Sequence, residues 1–149
     1  MARYVTTIDS ARDPEELFAY LSDFSNAREW DPGVVEASRE GAGQVAVGTE
    51  FRLVAAFMGR NVPLTYVVTA LDPPRSVTFR GENSSVVSLD TISLEPHGEG
   101  TRMTYDADLR LKGPGRLADP LLKLVFTRIG DKAAGGLLEA LDGRPARDA

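Results

Sequence analysis

Apolar residues recur with two different periods along this chain, and the change between them divides it. From Asp119 to Leu141 they fall three and four apart, at Leu121, Leu122, Val125, Phe126, Ile129, Ala133, Leu137, Leu138 and Leu141. Lys123, Thr127, Arg128, Asp131 and Glu139 occupy mostly the other side. That spacing predicts one long amphipathic helix. Asp119-Pro120 supplies an N-cap and a first-turn proline; a helix starting near Arg116 and kinked at Pro120 is the alternative. So broad a stripe must be received by another apolar surface. Nearly everything upstream has period two, which makes that surface a sheet.

The first strand is Tyr4 to Ser10, with Tyr4, Thr6, Ile8 and Ser10 on one face. Asp13-Pro14-Glu15-Glu16 opens a short helix that buries Leu17, Phe18 and Leu21, because Asp accepts orphan amide hydrogens and the acids complement the helix dipole. Ser22 to Trp30 reads as a second short helix or turn, broken at Asp31-Pro32-Gly33. Strands are predicted at Val34–Arg39, Thr49–Met58, Leu64–Leu71, Ser76–Gly81 and Ser85–Glu95. The last strand alternates most cleanly: Met103, Tyr105, Ala107, Leu109 and Leu111 point one way, and Arg102, Thr104, Asp106, Asp108, Arg110 and Lys112 the other. One buried and one solvated face mark an antiparallel sheet, and the short turns make sequential strands neighbours. Residues 1–142 form a single α+β domain on this reading. The tail 143–149 has nothing to bury and is expected to be disordered.

At 149 residues, 42% of them apolar, the chain is globular in composition and long enough for one real core. It has no cysteine, which excludes disulfides and thiolate metal sites and fits a reducing compartment. Neither a signal-peptide core at Met1–Thr6 nor a membrane-length apolar run is seen, so the expected location is the cytoplasm. The net charge is −5, with 17 basic residues scattered singly. Without a concentrated positive face, nucleic acid and anionic membrane are poor partners.

The run SARDPEELFAYLSDFSNAREWDPGV, then Gly48-Thr49 with Phe51, LDPPRSVTFRG, GTRMTYDADLRLKG and a long closing helix resembles the START-like, helix-grip superfamily (SRPBCC). The resemblance spans about Arg3 to Leu141 and is nearest the bacterial branch of polyketide cyclase/dehydrase and lipid-transport proteins. It implies a helix-grip fold: a seven-stranded antiparallel sheet curved around the C-terminal helix, two short helices between strands 1 and 2, and an apolar cavity between sheet and helix. Its members range from lipid carriers to aromatase/cyclases, so fold alone does not settle function.

On this plan the cavity is lined by Trp30, by Phe51, Leu53, Phe57, Tyr66, Phe79, Asp90, Ile92 and Tyr105 from the strands, and by Leu121, Val125 and Ile129 from the helix. A pocket of roughly 300 Å³, at about 24 cal/mol per Å³ of unfilled core, would cost on the order of 7 kcal/mol against a total stability of about 5–15 kcal/mol. The cavity is therefore expected to be partly polar and wet, or to close when unliganded. Asp90 shares a face with Ser88 and Val86 if Ile92 and Leu94 point inward. Either it orients a mostly apolar ligand together with Tyr105 and Tyr66, or it lies past the rim and pairs with an exposed Arg. The rarity of buried Asp favours the rim. Arg52 and Arg80 sit in strands beside aromatic residues.

His97, the single histidine, lies in a Gly-rich turn, so neither a zinc site nor a Ser–His–Asp triad is expected. Gly-Ala-Gly at 41–43 lacks the spacing of a nucleotide-binding loop. No cofactor is called for. Gly130, Gly135 and Gly136 each cost about 1 kcal/mol inside a helix. They reflect close packing or a helix loosened to admit ligand; in the second case Ala at 135 and 136 stabilises the fold and slows uptake. The expected function is binding or transport of a small hydrophobic molecule (lipid, isoprenoid or polyketide-like) by a monomer or homodimer without stable membrane insertion. A polyketide cyclase/aromatase or dehydratase is the second reading, with no catalytic residue set assigned. An interaction domain with a vestigial cavity is the third.

Overall fold

The computed structural model describes residues 2–57, 59–112, 119–141 and 143–145, with side chains in the last helix from Leu124 onward. The order is β1 (Ala2–Ser10), α1 (Pro14–Ser22), a 3-10 turn (Phe24–Asn26), α2 (Ala27–Trp30), β2 (Val34–Arg39), β3 (Glu50–Phe57), β4 (Arg60–Asp72), β5 (Ser76–Glu82), β6 (Val86–His97), β7 (Gly100–Leu111), α3 (Asp119–Ala140) and β8 (Gly143–Pro145). The strands form one antiparallel sheet in the order β2-β3-β4-β5-β6-β7-β1-β8. Irregular register at Val34/Glu36 and at Val68/Ala70 interrupts the ladder. Such bulges bend a strand and increase its twist.

Local chemistry sets the helices as the pattern predicts. Asp13 caps α1, its carboxylate accepting the Glu16 amide at 2.8 Å, and Pro14 occupies the first turn. Asp23 caps the 3-10 turn through the Ser25 amide at 3.1 Å. Leu17, Phe18 and Leu21 of α1 enter the core, with Phe24 and Trp30 following from the next two turns.

Two boundaries depart from the pattern. β4 begins at Arg60 rather than Leu64, running through Pro63. Pro63 pairs with Val54 of β3, while the β5 pairing starts only at Thr65. The missing amide therefore costs no ladder bond on the β5 side. The second departure corrects the expectation of a disordered tail from residue 143: Gly143–Pro145 pair with Ile8–Ser10 as β8. Backbone hydrogen bonds to the edge of β1 hold this segment, so no apolar pattern announces it. Ser10 Oγ adds a bond to the Leu141 carbonyl at 2.8 Å. The rest of the tail lies outside the described residues.

The glycines of α3 separate into two kinds. A Cβ on Gly136 would overlap the Trp30 carbonyl oxygen, and one on Gly130 would overlap the Tyr4 ring. Both are close-packing positions. A Cβ on Gly135 meets nothing. The expectation that Ala at both 135 and 136 stabilises the fold is thus corrected for Gly136. Gly135→Ala raises unfolding free energy by about 1 kcal/mol, whereas Gly136→Ala lowers it by about 1–3 kcal/mol through overpacking. Urea unfolding of the two single variants checks this, and equal stabilisation by both contradicts the contact.

Candidate functional site

The inward faces of β1, β3, β4, β6 and β7 divide at the same level, while β5 contributes to the core side alone among the described lining. On the core side lie Ile8 of β1, Phe51 of β3, Val68 of β4, Phe79 of β5, Ile92 of β6 and Met103 of β7, all at most 1% exposed. Phe24 stacks on Phe79 at 3.9 Å and meets Phe51 edge-on at 6.3 Å, filling that end with rings. Toward the other end β1, β3, β4, β6 and β7 line a cavity of about 150 Å³ with Tyr4 and Thr6, Leu53 and Phe57, Leu64 and Tyr66, Ser88 and Asp90, and Tyr105 and Ala107. Phe126, Ile129, Ala133 and Leu137 of α3 cover it, and Trp30 and Asp31 close the side.

Small residues hollow out this end. Tyr66, Gly81 and Ser88 are consecutive cross-strand partners on β4, β5 and β6. Gly81 has no Cβ to meet the Tyr66 ring, which would overlap one. The ring can therefore lie across β5 toward Ser88. One row on, Asp90 faces Ala107 directly, and Tyr105 is its diagonal neighbour on β7. Tyr105 Oη donates to Asp90 Oδ2 at 2.5 Å, and Ser88 Oγ donates to Asp90 Oδ1 at 2.6 Å. Trp30 meets Tyr105 edge-on at 5.5 Å.

Asp90 is only 5% exposed. Burial pushes its carboxyl up to about 6; the Ser88 and Tyr105 hydrogen bonds pull it down, and the Asp31 and Asp106 carboxylates push it up further. Burial likewise raises Asp31, against a hydrogen bond from the Gly33 amide. The Tyr66 and Tyr105 phenols are held well above their usual value, first by burial and then by the nearby Asp90 charge. Among the described lining residues there is no Lys, Arg or His.

Of the residues singled out from the pattern, Trp30, Leu53, Phe57, Tyr66, Asp90, Tyr105 and Ile129 line this cavity. Phe51, Phe79 and Ile92 do not; they belong to the packed core beside it. Alternation identifies the face of a strand but not the level along it, so it cannot separate these three from the lining. Val125 is half-buried and is not among the lining residues, and the Leu121 side chain lies outside the described residues. The rim placement of Asp90 is overturned: it is buried and bonded to Ser88 and Tyr105 rather than to an Arg. Arg52 and Arg80 are exposed, Arg80 pairing with Glu82. Pattern reading left out Tyr4, Ser88, Asp31 and Phe126. The first two share inward faces already recognised, and Phe126 belongs to the helix stripe. Asp31 stands at a chain break with no period to mark it. No group of His, Cys, Asp and Glu suited to a metal ion occurs among the described residues.

With fold and cavity in view, the chain belongs to the polyketide cyclase / dehydrase and lipid transport family, whose model matches residues 1–142. Solved structures agree on the fold. A START superfamily protein from Mycobacterium smegmatis superposes with a TM-score of 0.79 at 16% identity, covering 95% of this chain and 98% of that one. A protein of Thermus thermophilus gives 0.75 at 20% identity, with 94% and 95% covered. One from Rhodobacter sphaeroides gives 0.65 at 22%, with 95% and 92% covered. No curated protein matches by sequence. Among the described residues no helix is long and apolar enough to cross a membrane.

The Asp90 shift carries a stability consequence. Its folded-state value, about 6, lies above the unfolded value of 3.8. The neutral carboxyl therefore favours the fold fully below about pH 4, and this contribution fades as pH rises through about 6. A rise of that size corresponds to roughly 3 kcal/mol. Between about pH 4 and pH 8, wild type should lose roughly that much unfolding free energy relative to Asp90→Asn in denaturant titrations. A pH-independent difference contradicts a buried ionisable Asp90.

Proposed function

We propose that this domain binds a small, mostly apolar molecule in the cavity between the sheet and α3. The observation that carries the reading is the cavity itself: apolar on most of its wall, with one polar corner at Asp90, Ser88 and Tyr105. An unfilled space of 150 Å³ costs at most about 4 kcal/mol, at the rate for fully enclosed empty core. A domain stable by about 5–15 kcal/mol would retain so large a defect most readily if something fills it.

Size narrows the candidates. The volume is half the roughly 300 Å³ at the low end of small-molecule pockets and close to that of a cavity that takes one benzene-sized ring. Among the lipid, isoprenoid and polyketide-like classes, a single ring or a short isoprenoid unit fits inside. A longer molecule would have to project past α3 or displace it.

One observation favours enzymatic chemistry as a second reading. Asp90, poised near 6 and bonded to Tyr105 in a cavity wall, has the environment of a general base or acid. A cyclase/aromatase or dehydratase of polyketide-like substrates would use it so. No observation favours the interaction-domain reading.

Trp30 is the one tryptophan of the chain and lines the cavity, so its emission reports occupancy directly. Titration with ethylbenzene or limonene should shift or quench it saturably, and Ala133→Phe, which fills the space from α3 without adding a second indole, should abolish the response. Emission that stays unchanged in wild type, with calorimetry also silent, overturns the binding reading.

A further inference from the structure

We infer that the cavity selects an apolar ligand bearing a hydrogen-bond donor, a hydroxyl or an ammonium group, and discriminates against carboxylates and other acceptor-only ligands. This rests on the binding reading above and assigns the chemistry of its polar end. Proton bookkeeping at the corner leads there. Ser88 Oγ and Tyr105 Oη both give their protons to Asp90. The Tyr66 phenol lies beside Ser88, and no described bond has it as donor. Tyr4, on the same wall, gives its proton to Asp131 at 2.7 Å.

The three cavity hydroxyls so engaged, those of Ser88, Tyr105 and Tyr4, turn lone pairs, not protons, to the empty space. A carboxylate has about four acceptor sites, and Asp90 accepts from two donors here, leaving capacity for more. The Trp30 indole N–H has no partner among the described residues, but its nitrogen has essentially no accessible surface and is not presented to a ligand. Thr6 and Tyr66 are the lining hydroxyls whose protons no described bond engages, and two neutral hydroxyls balance neither Asp90 nor Asp31. Both carboxyls border the same cavity, and among its described lining residues there is no cation.

An entering donor would satisfy Asp90 and offset its desolvation. An entering carboxylate would face two acids and find no cation among the described lining residues to offset its charge. Matching a buried polar group, rather than adding apolar contact, gives the sharper discrimination between ligands of one shape.

The test compares four ligands on one scaffold, at a pH near 8 where Asp90 is ionised: 2-phenylethanol, 2-phenylethylamine, acetophenone and phenylacetate. Ethylbenzene serves as the control without a polar group, and Trp30 emission and calorimetry give the affinities. The alcohol and the amine should bind about tenfold or more tighter than acetophenone and phenylacetate, the discrimination of one well-made hydrogen bond to a charged group. Asp90→Asn, which removes the charge and supplies an amide donor, should bring acetophenone to within about twofold of the alcohol. Equal affinities in wild type, or tightest binding by phenylacetate, overturn the donor inference and leave the cavity reading standing. Binding by ethylbenzene with none by the alcohol or the amine does the same. Silence from all five ligands overturns both.

Discussion

The closing helix can approach α2 at only one depth, because Gly136 meets the Trp30 carbonyl where no side chain fits. That contact anchors one end of α3 against the short-helix layer. Gly130 against the Tyr4 ring, with the Tyr4 hydroxyl bonded to Asp131, ties the next turns to β1. Leu137 and Leu141, at most 1% exposed, drop into the ring-filled core at this end. Between these anchors Ala133 and Ala134 of α3 border the cavity opposite the small residues Ser88 and Ala107 of the sheet. The cavity follows from this geometry: a rigid helix held at fixed height over a locally hollow sheet.

Into that hollow the fold places a carboxyl. A buried Asp among apolar neighbours is a standing cost, which the Ser88 and Tyr105 hydrogen bonds offset only in part. A Leu or Asn at position 90 would stabilise the empty domain more. The tension between stability and the retained charge is typical of sites that hold something, and it places the polar chemistry on rigid strands rather than on loops.

Much of the architecture was legible in the pattern of side chains. The clean alternation of β7 and the three-and-four stripe of α3 defined the sheet, its inner face and the helix that covers it. Asp13-Pro14 marked α1 through capping chemistry that needs no tertiary context. Features carried by backbone were not legible: β8 is held by main-chain bonds to β1, and β4 passes through Pro63 only because β5 stops short of it. For the site, period two found the right face but not the level. Phe51 and Leu53 are two residues apart on one face, yet one fills the core and the other borders the cavity. What separates them is the stack of Phe24 on Phe79, a meeting of residues distant in sequence. The burial of Asp90 likewise depends on partners from β6 and β7 that only register brings together.

The claim at the centre is that the hollow under α3 receives a ligand whose donor group reaches Asp90. A crystal structure of the protein grown with 2-phenylethanol tests it most directly. The account predicts a ring between Trp30, Phe57 and Ile129, with its hydroxyl within hydrogen-bond distance of an Asp90 oxygen and the Ser88 and Tyr105 bonds retained. A cavity closed by side chains, or the ring seated elsewhere with Asp90 untouched, would contradict it.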